Sequence, residues 1–175
     1  MEASQFTDLF RRHAGLIHKI AHAYCREAAE REDVVQEIAV QLWRSRERYD
    51  ERYRETTWIY RIALNVAISF QRRERRHREG RLPLEEHALT LAAATEVEPG
   101  ADVQLLLRCI EDLSALDKAL VLLYLDGNDH AASADVLGIS VSNVGTKLLR
   151  IKDKLRVAFE ERARSDEKER PHAAR

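Results

Sequence analysis

Apolar residues recur every three or four positions through most of this chain. Phe6, Leu9 and Phe10, followed by Leu16, Ile17, Ile20, Ala21 and Tyr24, form one such stripe. Val34, Val35, Ile38, Leu42 and Trp43 form a second, with Glu37, Gln41 and Arg44 on the opposite side. A third opens near Thr56 or Thr57 and runs through Ile59, Ile62, Ala63, Val66 and Phe70 into a run of arginines. This spacing is that of helices burying one face. No segment alternates with period two, so the pattern predicts an all-α protein.

The C-terminal half has the same period with clearer punctuation. A leucine-rich helix is predicted over 102–112. Ser114-Ala115-Leu116-Asp117 resembles a capping box and opens a helix that ends at Gly127. Asp129 can cap a short helix that Leu137 closes. Gly138 then supplies a turn that a residue with a Cβ would resist. Ser140 can cap a last helix through Val144, Leu148, Ile151 and Leu155. Helix, tight turn and helix together read as a helix-turn-helix, whose second helix enters the DNA major groove. The expected whole is three helices, a linker and four helices: an N-terminal three- to four-helix bundle and a C-terminal helix-turn-helix domain.

Charge sharpens the division. The net charge is −1, so any argument for a nucleic-acid partner must come from distribution. Residues 71–78 hold five arginines against one glutamate, whereas 79–101 hold one arginine against five glutamates. That acidic strip also contains Gly80, Pro83, Pro99 and Gly100 and is predicted to be a flexible linker. It separates a domain at 1–78 from one at 102–160, leaving a charged, frayed tail at 161–175. No apolar run approaches the ~18 residues that span a membrane, and the N-terminus lacks a signal-peptide pattern. Direct membrane insertion is therefore not expected. Cys25 and Cys109 are single and distant, which fits a reducing cytoplasm.

Three constellations carry chemistry. Trp58, Tyr60, Arg61 and Asn65 lie on the helix that ends in the arginine run, and Tyr49 and Tyr53 stand among four arginines in 46–54. Aromatics beside arginines can stack on unpaired bases while the cations hold phosphates; a solvated loop with Trp58 anchoring a small core is the plainer alternative. Glu30-Arg31-Glu32-Asp33 opens the second helix, where carboxylates complement the helix dipole. Asp33, Gln36 and Glu37 also share one face that could dock a basic partner helix. His18, His22 and Cys25 have a spacing compatible with zinc, but no fourth ligand is near, and they are read as boundary or surface positions. No metal or cofactor is expected. No nucleophile elbow, Walker loop, H-E-x-x-H or paired-cysteine signature occurs, so no catalytic site is predicted.

In sum the chain resembles an extracytoplasmic-function sigma factor of bacterial RNA polymerase, over roughly residues 6–158. Glu30-Arg31-Glu32-Asp33-Val34-Val35-Gln36-Glu37 is similar to the family's acidic E-D-x-x-Q-E segment. Thr57-Trp58-Ile59-Tyr60-Arg61-Ile62-Ala63-Leu64-Asn65-Val66-Ala67 is similar to its W-L-x-R-I-A-x-N-x-A helix, and residues 137–144 with Lys147, Leu148 and Arg150 to its C-terminal recognition helix. The resemblance implies that Asp33, Gln36 and Glu37 dock core polymerase. It implies that Trp58, Tyr60, Arg61 and Asn65, with Tyr49 and Tyr53, capture the melted promoter −10 element, while Arg72, Arg73, Arg75 and Arg76 hold phosphates. Ser142, Asn143, Thr146, Lys147 and Arg150 would read the −35 element. Core RNA polymerase, promoter DNA and an anti-sigma factor are the implied partners.

This chain departs from the family pattern at three places. Ser69 replaces an aspartate, Ala132-Ser133-Ala134 replaces E-I-A, and Gly145 replaces a basic residue in the recognition helix. The last costs about 1 kcal/mol of helix stability relative to alanine and removes a phosphate contact. A stand-alone helix-turn-helix regulator and a helical protein–protein adaptor are the alternatives; the first leaves the acidic and Trp58 helices unexplained, and the second predicts no DNA footprint.

Overall fold

The computed structural model describes residues 2–50, 52–78 and 100–169. Among them are α1 (Ala3–Arg12), α2 (Ala14–Tyr24), α3 (Ala28–Ser45), a 3-10 turn at Arg46–Arg48, α4 (Glu55–Arg78), α5 (Ala101–Glu111), α6 (Ala115–Leu125), α7 (His130–Leu137) and α8 (Val141–Glu169), with no strand. The predicted acidic linker lies outside the described residues except for Gly100 and Ala101.

The first apolar stripe is two helices rather than one. They meet at His13, whose backbone (φ −107°, ψ 11°) ends α1 and begins α2. His13 and Arg12 both reach Glu55 at the start of α4, at 3.1 and 3.0 Å. That shared carboxylate fixes the corner. Leu9, Ile17, Ile20, Val34, Ile38, Leu42, Ile59 and Leu64 fill the space between α1 to α4.

Gly138 has φ +66° and closes α7 in the left-handed region, as the sequence requires. The Ser140 hydroxyl then accepts from the Asn143 amide at 3.2 Å, and the Asp129 carboxylate from the Ala132 amide at 2.7 Å. Ser114 accepts from the Asp117 amide at 3.2 Å. Val144, Leu148 and Ile151 of α8 pack with Leu120, Val121 and Ala134 in a second core.

One expectation is revised. Within the tail predicted to fray, residues 161–169 continue α8, and Arg162 reaches back to the Asp112 carboxylate and the Cys109 sulfur of α5. A cation–carboxylate pair of this kind holds a helix that composition alone would leave loose. The halves have two core clusters, which meet along α6 and α7. Ala119, Leu122 and Leu123 of α6 and Val136 of α7 belong to the N-terminal core, while Leu120 and Val121 of α6 face the other. Seven consecutive residues of α6, Asp117–Leu123, are buried. Its run Ala119–Leu123 is apolar on every side and so is buried from both cores.

Candidate polymerase and promoter interfaces

The acidic end of α3 resolves into two jobs. Glu27 and Glu30 form a capping box, and the Glu30 carboxylate accepts from the Arg26 and Glu27 amides at 3.0 and 3.3 Å. Asp33, Gln36 and Glu37 take no part in the cap and are exposed. Asp33 and Glu37 line one wall of a groove with Gln41; Asn65, Ser69, Phe70 and Arg73 of α4 line the other. The Gln41 amide donates to the Glu37 carboxylate at 2.6 Å. Carboxylates above a part-apolar floor suit a basic amphipathic helix.

The residues expected at the −10 element fall on separate surfaces of α4. Tyr49 and Trp58 form an aromatic pair, with ring centroids 4.9 Å apart, and the Tyr49 hydroxyl donates to the Tyr53 carbonyl at 2.8 Å. Tyr53 itself is exposed. This fixes the connection before α4 onto its first turn. Arg72, Arg73, Arg75 and Arg76 are exposed along the far end, with Arg73 over the Phe70 ring at 5.3 Å. Asn65 faces the α3 groove instead, beside Asp33 and Glu37.

Tyr60 and Arg61 lie at the seam between the halves. Tyr60 is 2% exposed, and its buried hydroxyl has no partner among the described residues. Arg61 donates to the Asp135 carbonyl of α7 at 2.5 Å. Three further contacts cross the seam: the Tyr24 hydroxyl to the Ala115 carbonyl at 2.7 Å, the Lys118 ammonium to the Ala23 carbonyl at 3.1 Å, and Lys19 to Asp126. Lys118 is 3% exposed. Burial pushes its ammonium below the usual lysine range, opposed by the Glu111 carboxylate, and burial raises Glu111 in turn. In this arrangement Tyr60 is closed to a nucleotide, whereas Arg61 stays exposed with its guanidinium bonded to α7.

On the recognition helix, Ser142, Asn143, Thr146 and Arg150 are exposed and Lys147 is half-buried. The Thr146 hydroxyl donates to the Ser142 carbonyl at 3.0 Å. Ser133 is buried at 2% in the first elbow helix. Gly145 packs against His130 of α7, a contact that no sequence pattern signals. The His18, His22 and Cys25 set does not converge: His18 is exposed, the His22 ring meets Arg31 at 2.8 Å, and Cys25 is buried with its thiol raised by burial to about 12. Among the described residues no cluster could hold a metal ion, and no helix is long and apolar enough to cross a membrane.

Comparison with known proteins identifies the family and the fold. Residues 9–77 match the family Sigma-70 region 2, and residues 103–155 match Sigma-70, region 4. The ECF RNA polymerase sigma factor SigM of Mycobacterium tuberculosis, in strains Erdman and H37Rv, is 26% identical over 151 residues, covering 86% of this chain and 74% of the relative. The fold is similar to the sigma factor RpoE in its co-crystal with the anti-sigma factor NepR from Bartonella quintana, with TM-score 0.72, 17% identity, and coverage of 90% of this chain and 98% of that one. It is also similar to CnrH in complex with the cytosolic domain of CnrY, with TM-score 0.66, 22% identity, and coverage of 91% and 90%. With both sigma-70 regions in order on one all-helical frame, the chain belongs to the extracytoplasmic-function sigma factors of RNA polymerase.

Proposed function

We propose a division of labour in which α3 docks core polymerase, the start of α4 captures the melted −10 strand, and α8 reads the −35 element. The observation that carries it is that Asp33, Gln36 and Glu37 are exposed and unused by the helix cap, while Tyr49 and Trp58 are paired at the mouth of α4. Exposed carboxylates that the cap does not use can recognise a basic partner. Stacked aromatics near arginines offer a platform to unpaired bases. The protein acts by binding and has no chemistry of its own. It works in the cytoplasm, where the polymerase is.

Promoter opening on this reading requires the halves to part. Tyr60 is buried and Arg61 is bonded to the α7 backbone, so on this reading the −10 surface gains Tyr60 and an unengaged Arg61 only when the seam opens. The likeness to RpoE held by an anti-sigma factor supports a partner of that kind for this chain as well.

In-vitro transcription with core polymerase on a pooled promoter library tests the assignment. Transcripts should start downstream of a shared pair of elements and depend on the added chain. Trp58→Ala should impair opening more than closed-complex binding. Sequence-specific DNA binding that ignores core polymerase would instead mark a stand-alone regulator.

A further inference from the structure

Gly145 stands on the second turn of α8, between the base-reading candidates Ser142 and Thr146. A Cβ built there would lie 3.6 Å from both Cε1 and Nδ1 of His130. The imidazole therefore rests on the backbone of the recognition helix, in the space a longer side chain at 145 would occupy. His130 is the first residue of α7, is exposed, and forms no hydrogen bond or ion pair among the described residues. Its polar ring is held by packing alone, beside the face of α8 that meets DNA.

In helix-turn-helix complexes the first helix crosses the DNA backbone while the second reads the groove. The group opposite the first residue of α7 is then a phosphodiester, not a base edge. We infer that His130 contacts a backbone phosphate of the −35 element and that Gly145 is the seat for its ring, an inference that rests on the −35 assignment of α8. The basic side chain missing from position 145 is thereby replaced from the neighbouring helix. His130 is the contact; Gly145 is a positioning residue.

The test uses the full chain bound to core polymerase, on a fluorescent duplex carrying a −35 element selected with that holoenzyme. Affinity is measured over a salt series. His130→Ala should weaken binding roughly 2- to 10-fold, the worth of one hydrogen bond, and equally across −35 sequence variants. His130→Lys should restore it. Gly145→Leu, which displaces the ring, should give the same loss, with no further loss in the double variant. A methylphosphonate at the contacted phosphate should abolish the effect of His130→Ala. Unchanged affinity in His130→Ala, or a loss confined to one base pair, overturns the inference. Arg150→Ala separates the two levels: loss there alone sinks only the His130 contact, and loss in neither variant sinks the −35 reading. If Gly145→Leu fails to fold, the comparison of His130→Ala with His130→Lys decides.

Discussion

Loosening the seam between the halves should expose the −10 surface by a calculable factor. Tyr24→Phe keeps the ring in the core and removes only the 2.7 Å hydrogen bond to the Ala115 carbonyl, worth about 1 kcal/mol. Asp126→Asn removes the charge pairing with Lys19; both side chains are partly exposed, so that pair adds at most about 1 kcal/mol. Together they shift the closed–open balance by about 1–2 kcal/mol, a factor of roughly 5 to 30. The apparent affinity of a ligand that binds only the open form rises by that same factor while the closed form dominates. Two readouts are needed. Dyes on Arg11→Cys and Glu161→Cys, both exposed positions, report separation by energy transfer, since Cys25 and Cys109 are buried. Anisotropy of a labelled single-stranded −10 oligonucleotide reports the reading surface. Both should move together, with lower transfer and 5- to 30-fold tighter binding. Opening without a gain in affinity would refute the proposal that the closed seam withholds Tyr60 and ties up Arg61.

Other perturbations have equally defined outcomes. Gly138→Ala forces a Cβ into a left-handed backbone of φ +66° and should cost about 1–2 kcal/mol, seen as a melting point lowered by roughly 2–8 °C; an unchanged melting point would show that the elbow relaxes. Replacing Arg72, Arg73, Arg75 and Arg76 together by glutamine should flatten the dependence of log affinity on log salt by roughly 3 if each meets a phosphate, and an unaltered slope would remove them from the interface. The Glu55 carboxyl is held below its ordinary range by the His13 hydrogen bond and then by Arg12. Its value is lower folded than unfolded, so its contribution is complete above the ordinary glutamate range and is lost as pH falls through the folded value. Glu55→Gln should flatten that acid limb in denaturant titrations stepped in pH, and the same limb in both proteins would show that the corner does not depend on Glu55. The Cys25 thiol, pushed up to about 12, should resist alkylation at pH 8 until the chain unfolds; labelling of the native protein at the rate of a free thiol would contradict its burial.

The parts legible in the sequence were those fixed by neighbours along the chain. Asp129, Gly138 and Ser140 act within one turn of where they stand, so type and spacing suffice to predict them. The split at His13 was not legible, because it depends on Glu55, 42 residues away. The long α8 depends in the same way on Arg162 meeting Asp112. At the site, the exposed face of α3 follows from its period, whereas the scatter of the α4 residues does not. Tyr60 and Asn65 are near in sequence but lie on different sides of one helix, while Arg61 shares a face with Asn65 one turn away. Only packing decides that Asn65 faces α3 and Arg61 faces α7. The packing of Gly145 against His130, fifteen residues earlier, was likewise not legible.

Helix α6, buried along Asp117–Leu123, would act as a clock if the seam opens as proposed. In the closed arrangement its leucines are core; opening would wet the face carrying Ala119, Leu122 and Leu123. At roughly 25 cal/mol per Å², such a face draws any protein surface that can cover it and attracts proteases and aggregation when none does. A chain with its seam open would then have three fates: reclosure, capture or destruction. On that proposal the open conformer is the perishable one, and its lifetime is set by how long α6 stays uncovered.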